Sequence, residues 1–303
     1  MIFAFVACFC WSFAIFPVTE AISRIGYRPV NFYRHILAFV VLGCLVFALQ
    51  PNFVIHLLNC GYQNVAFIFI SGALGLVLSD ILRLRALDKL GIKAVSVFSA
   101  CQPAIGLFLG WLFLNEKQNA IGVSGVVLTI VGLFVFTYFN FKSHEFKSNY
   151  KEIGLLVICM FAQGFSLIFS KTALSNTFGF LLPYEVAYIR IVCAVVCMVL
   201  IALANKKIIV WSRNLLNNKN GANKYFFVST FLGNITAVSC SLYALSILPS
   251  VLVQSIFSLT PFFILILNII LKKEKIQMNQ FIAFLISIFG VYLVLWQNEF
   301  ENK

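Results

Sequence analysis

Apolar positions along this chain gather into nearly unbroken runs of about twenty residues, and the polar and charged positions collect between them. A helix rising about 1.5 Å per residue needs that many residues to cross a hydrocarbon core of roughly 30 Å. The runs predict helices over 2–22, 31–49, 63–84, 92–114, 119–139, 153–172, 184–204, 225–247, 250–271 and 278–297. A membrane-barrel strand would be about ten residues long and would alternate polar with apolar, a pattern these segments lack. Only a few residues separate the third helix from the fourth, the fourth from the fifth, the eighth from the ninth and the ninth from the tenth, so each of those pairs forms an antiparallel hairpin. The apolar start at Met1 has no basic leader and no small-residue cleavage site, so it reads as a first span and not as a signal peptide.

Composition narrows the class further. Hydrophobic residues make up 61% of the 303 positions and charged residues 11%, whereas a soluble domain carries about a quarter charged. The chain lacks the polar surface of a soluble protein, and no interhelical loop is long enough for a soluble domain. Of the nine cysteines only Cys60 falls outside a span, which implies no disulfide framework. Cys193 and Cys197 lie one helical turn apart with no histidine near them, so they read as small hydrophobes. No cofactor or metal is expected.

The net charge of +12 would suit nucleic-acid binding, but its distribution argues for the bilayer as partner and against nucleic acid. Seventeen basic residues lie in the odd-numbered loops: Arg24, Arg28, Arg83, Arg85, Lys89, Lys93, Lys142, Lys147, Lys151, Lys206, Lys207, Arg213, Lys219, Lys224, Lys272, Lys273 and Lys275. The other face holds only Lys117, Lys171 and Lys303. By the positive-inside rule the basic loops lie in the cytoplasm and both termini outside.

A shift of 158 residues aligns 71–132 with 229–290 without a gap. The identities include Ser71/Ser229, Gly75/Gly233, Ala86/Ala244, Pro103/Pro261, Glu116/Glu274, Lys117/Lys275 and Gly132/Gly290, among them residue types that hydrophobicity alone does not select. Arg34 and Arg190 correspond at a slightly smaller shift. The expected fold is therefore all-α integral membrane, with ten transmembrane helices as two five-helix repeats, 1–140 and 151–303. An odd number of helices sends the second repeat through the bilayer in the opposite sense. Inverted repeats around a central cavity recur in secondary transporters, where the substrate sits near the midplane between them.

In order and spacing the chain resembles the EamA family of the drug/metabolite transporter superfamily. The resemblance is carried by Trp11-Ser12, by Arg34 after Pro29, by Ser79-Asp80 leading to Ala86-Leu87, by Pro103 leading to Leu114-Asn115-Glu116, and by Gly122 and Gly132. The second half repeats it as Arg190, Ala244-Leu245, Pro261, Glu274 and Gly290. It implies a non-enzymatic permease or exporter of small metabolites, often amino acids or related compounds, in a prokaryotic inner membrane, as a monomer or homodimer. It also implies cytoplasmic termini and a basic second loop. Residues 50–62 carry no Lys or Arg, so charge and resemblance point to opposite orientations.

Ionisable side chains within spans are functional candidates because their burial is costly. Arg190 reads as an anchor for a substrate carboxylate or as a structural partner of Glu185. Arg34, its repeat mate, reads as anchor or structural residue; inverted repeats would bring the two in from opposite faces as separate, paired gates. Asp80 suits a cationic substrate or a coupling proton, or else a solvated pair with Arg83 one turn on. Trp11, Gln102, Gln163, Asn234, Tyr243 and Gln254 should face the bundle interior, where they are substrate-contact candidates. Pro103 and Pro261 each free a carbonyl inside a helix and are candidate kinks or gates. Glu116 and Glu274 read as structural helix-end residues. Gly106 and Gly110 permit close helix packing. The alternative, an intramembrane enzyme or receptor-like module, would need a nucleophile–base or metal constellation that the scattered His35, His56 and His144 do not suggest.

Overall fold

The computed structural model describes residues 1–99, 102–116, 119–140, 150–177, 181–206, 209–211, 221–272 and 278–301. Among them every regular element is a helix. The first half comprises α1 (Ile2–Ile25), α2 (Tyr27–Leu49), the short α3 (Phe53–Asn59), α4 (Tyr62–Gly72), α5 (Asp80–Ser99), α6 (Gln102–Leu114) and α7 (Ala120–Asn140). The second comprises α8 (Tyr150–Asn176), α9 (Pro183–Ala204), α10 (Ala222–Ser229), α11 (Val238–Ile247), α12 (Ser250–Phe257), α13 (Thr260–Lys272) and α14 (Met278–Glu301). A π-helical segment, Ala73–Ser79, joins α4 to α5, and a second, Thr230–Ala237, joins α10 to α11.

Seven helices are long and apolar enough to cross a membrane, and three shorter apolar ones accompany them: Gln102–Leu114, Ala120–Gly132 and Phe281–Gln297. The burial pattern inverts that of a soluble protein. Ser12, Asn31, Arg34, His35, Asp80, Glu185, Arg190 and Asn234 are buried, while Leu200, Ile270, Trp111 and Phe134 are exposed. In hydrocarbon that is the expected sorting, since polar groups find partners only inside the bundle.

Helix ends depart from the hydropathy reading in three places. The first two helices are longer than expected, and Gly26 alone separates them. Its φ of 85° lies in the left-handed region that glycine adopts without strain, which permits so tight a reversal. α5 is itself broken by a turn at Gly91, φ 79°, whereas its repeat counterpart turns at Pro249. The run over 250–271 is two helices, because Ser258 and Leu259 interrupt it.

The two halves interlock. α1 packs on α10, the second π segment and α11, and α8 packs in the same way on α4, the first π segment and α5. α2 lies on α9, α6 on α12 and α7 on α14. The last contact is a small-residue crossing: a Cβ at Gly290 would lie 2.5 Å from the Thr129 nitrogen, and one at Gly125 2.6 Å from the Gly290 oxygen. Such stripes let helix backbones approach where lipid offers no hydrophobic drive. On the face that holds the basic loops, Arg85 of α5 and Glu152 of α8 tie the halves together through bonds of 2.6–3.2 Å.

Candidate functional site

The two π segments coincide under the repeat shift and face each other across the bundle centre. A π turn widens the helix and takes its carbonyls out of the regular ladder, which is why such turns gather at functional sites. Here the Gly233 carbonyl accepts a hydrogen bond from Trp11 Nε1 at 3.2 Å. The same glycine leaves room for an arginine. A Cβ at Gly233 would lie 2.9 Å from Arg34 Nη2, and a Cβ at Gly75 3.0 Å from Arg190 Nη2. Each arginine of one half therefore rests against the π segment of the other.

Between the segments lies a cavity of about 110 Å³. Four ionisable side chains line it: Arg34, Asp80, Arg83 and Arg190. Arg83 pairs with Asp80. Arg190 Nη2 donates to Ser166 Oγ at 3.0 Å, and that hydroxyl donates in turn to the Ser71 carbonyl at 2.8 Å. Among the described residues, Nε of Arg190 and Nε and Nη1 of Arg34 are buried without a partner.

A neutral pair sets the remaining polarity. His35 Nδ1 lies 2.8 Å from the Asn31 carbonyl and must donate to it, so Nε2 accepts from Asn234 Nδ2 at 3.4 Å. That orientation leaves Asn234 Oδ1 as an acceptor without a partner on a residue that lines the cavity. The lining runs from Trp11 and Phe257 toward Leu84, Leu87 and Val95, at the end where the basic loops lie.

The opposite end is clamped. Asn115 takes a positive φ of 53° after α6, and the Glu116 N–H bonds back to the Gly110 carbonyl at 3.1 Å. This closure folds the Glu116 side chain over Gly110, where a Cβ would lie 2.8 Å from Glu116 Oε2. Its carboxylate accepts from the Ser250 N–H at 2.8 and 2.9 Å, the Ser250 hydroxyl at 2.7 Å and the Val251 N–H at 3.4 Å, capping the positive end of α12. Lys171 Nζ donates to the Leu245 and Leu248 carbonyls at the negative end of α11. An anion and a cation thus hold the Leu248–Pro249 turn from its two sides.

Of the nine substrate-contact candidates, Trp11, Arg34, Asp80, Gln102, Gln163, Arg190 and Asn234 line this one cavity. Two do not. Gln254 is buried on α12 against Gly106 of α6, where a Cβ would lie 2.7 Å from its Nε2, and Tyr243 stacks on Phe3 with ring centroids 5.2 Å apart. Arg34 and Arg190 are not separate gates: both reach the same chamber, each seven residues past its helix start at Tyr27 or Pro183. At about 1.5 Å per residue that depth of about 10 Å brings both guanidinium groups near the bundle centre. Pro261 is not a mid-helix kink: it is the second residue of α13, where a missing N–H is harmless. Pro103 follows positions 100–101, which lie outside the described residues. α1 also bonds to carbonyls on either side of the break before Pro261: Cys8 Sγ approaches the Ile256 oxygen at 3.3 Å and Ser12 Oγ the Thr260 oxygen at 3.4 Å. Glu116 is a helix cap, and Glu274 lies outside the described residues. His35, Ser166, Lys171 and the seats at Gly75 and Gly233 are further residues of the site; of these only the glycine pair left a sequence signal, as a repeat identity. Among the described residues no three His, Cys, Asp or Glu side chains are grouped to hold a metal ion.

Comparison with known proteins bears on the family and the fold. The model of a family described as EamA-like transporters matches residues 1–138 and again 150–296. No curated protein matches the chain. A crystal structure titled only as that of a protein superposes with a TM-score of 0.75 at 12% sequence identity, over 99% of this chain and 98% of that one, a likeness of fold.

Proposed function

The chain belongs to the EamA-like transporter family, integral multi-pass membrane transporters of small molecules, and from that premise we propose that it moves small metabolites, amino acids or related compounds, by alternating access. In this reading the seven long helices and three shorter apolar ones make ten spans. They form two inverted five-span repeats, 1–140 and 151–303, in a prokaryotic inner membrane with the basic loops in the cytoplasm.

The observation that carries the reading is one chamber near the bundle centre, built by both halves and holding arginine N–H groups that no atom of the described residues satisfies. Unpaired charged donors at that depth are too costly to keep without a ligand or water to meet them. The chamber's lining extends toward the basic end, while the Glu116–Lys171 clamp closes the other. A substrate enters from the basic side, seats between the π segments, and leaves once the halves rock and the clamp parts; the helix break before Pro261 supplies a hinge. The test is flux into or out of proteoliposomes across a metabolite panel. Saturable flux above empty vesicles is expected, and rates equal to empty vesicles for every compound would remove the reading.

A further inference from the structure

Resting on the transporter reading, we propose that the chamber selects a compact dianion, a four- or five-carbon dicarboxylate that places one acidic group on each arginine. Of the four ionisable side chains in the lining, Asp80 and Arg83 neutralise each other. Arg34 and Arg190 join no salt bridge among the described residues, so two fixed positive charges remain for a ligand to balance. Their orphaned N–H groups belong to planar forks whose spacing suits a carboxylate. The forks sit on different walls, Arg34 against Gly233 and Arg190 against Gly75 with Ser166 Oγ fixing it, so they address two groups of one ligand.

Volume sets the size. A chamber of about 110 Å³ suits a small, compact ligand, and a four- or five-carbon diacid is one. Asn234 Oδ1, the unsatisfied acceptor, would take a hydroxyl or amino group carried between the two carboxylates.

The experiment uses the full chain in proteoliposomes with labelled succinate, malate and aspartate, set against alanine, leucine, lactate and putrescine, together with ligand-induced thermal shifts in detergent. Saturable diacid flux, mutually competitive and insensitive to alanine, leucine and putrescine, is expected. Arg34→Gln and Arg190→Gln should each raise the diacid KM at least about tenfold, with partial rescue by Lys at either position. Gly233→Ala displaces only the flexible end of Arg34, so a folded variant with a raised diacid KM supports the same assignment. Carriage of neutral amino acids with no diacid flux or competition would overturn the dianion and leave the transport reading standing. Folded glutamine variants that keep the parent's diacid KM would overturn the anchoring role. Absence of flux for the whole panel from protein that still melts cooperatively would overturn the transport reading itself.

Discussion

Replacing Glu116 with alanine removes the cap of α12 and should cost more than a surface charge change would. The carboxylate takes both backbone donors of the first turn, Ser250 and Val251, and the Ser250 hydroxyl. Ser250 is fully buried, so the alanine variant leaves its donors dry. An N-cap is worth about 0.5–2 kcal/mol, and bonds to a charged acceptor somewhat more; together they put the loss at about 3 kcal/mol. Glutamine keeps one acceptor oxygen and loses the charge at the helix end, for about half that loss. Followed by tryptophan fluorescence in detergent, the melting temperature should fall on the order of 5 °C for Glu116→Ala and about half as much for Glu116→Gln. An alanine variant melting within a degree of the parent would refute the capping account. A glutamine variant as damaged as the alanine one would show that shape over Gly110, and not acceptor strength, is what Glu116 supplies.

Lys171→Met keeps the side-chain length but strips a cation from the Leu245 and Leu248 carbonyls, and should lower the melting temperature by about 3 °C. Combined with Glu116→Ala it should lose less than the sum of the two, because both groups hold one turn; strict additivity would separate them. Gly290→Ala drives a Cβ into the Thr129 and Gly125 backbones and should destabilise by about 1–3 kcal/mol, whereas Gly154→Ala, with nothing within 4 Å of its Cβ, should be neutral or gain about 0.5 kcal/mol. Equal melting of those two variants would contradict the α7–α14 crossing. Ser166→Ala releases Arg190 Nη2 and should raise KM about fivefold with melting nearly unchanged; an unaltered KM would mean that the hydroxyl does not position the guanidinium.

Features written twice in the chain were the legible ones. Run length located the helices because hydrocarbon thickness dictates it, and the repeat register marked Gly75/Gly233 and Arg34/Arg190 before any contact was known. Depth was harder to read. Starting α2 at Tyr27 instead of residue 31 moves Arg34 inward by about 6 Å at 1.5 Å per residue, enough to turn an interfacial side chain into a central one. Helix faces were harder still: a helix apolar all round gives no period to read, so Gln254 and Gln102 looked equivalent although α6 covers one and the chamber takes the other. Hydropathy also passes over the break at Ser258–Leu259, although Pro261 disfavours helix just before it.

The remaining content lies where the copies disagree. Asp80 and Arg83 on one wall correspond to Val238 and Ser241 on the other, and all four line the chamber. Leu76 corresponds to Asn234, and Gln102 to Thr260, again with every member in the lining. Two walls of matching backbone thus carry different chemistry: one bears an internally neutral ion pair, the other the buried amide acceptor of Asn234. Of the charged groups only the arginines are symmetric. A ligand bound between them meets equal charge from both sides and unequal hydrogen bonding. That combination recognises the ends of a two-headed substrate alike while setting which way round its middle lies.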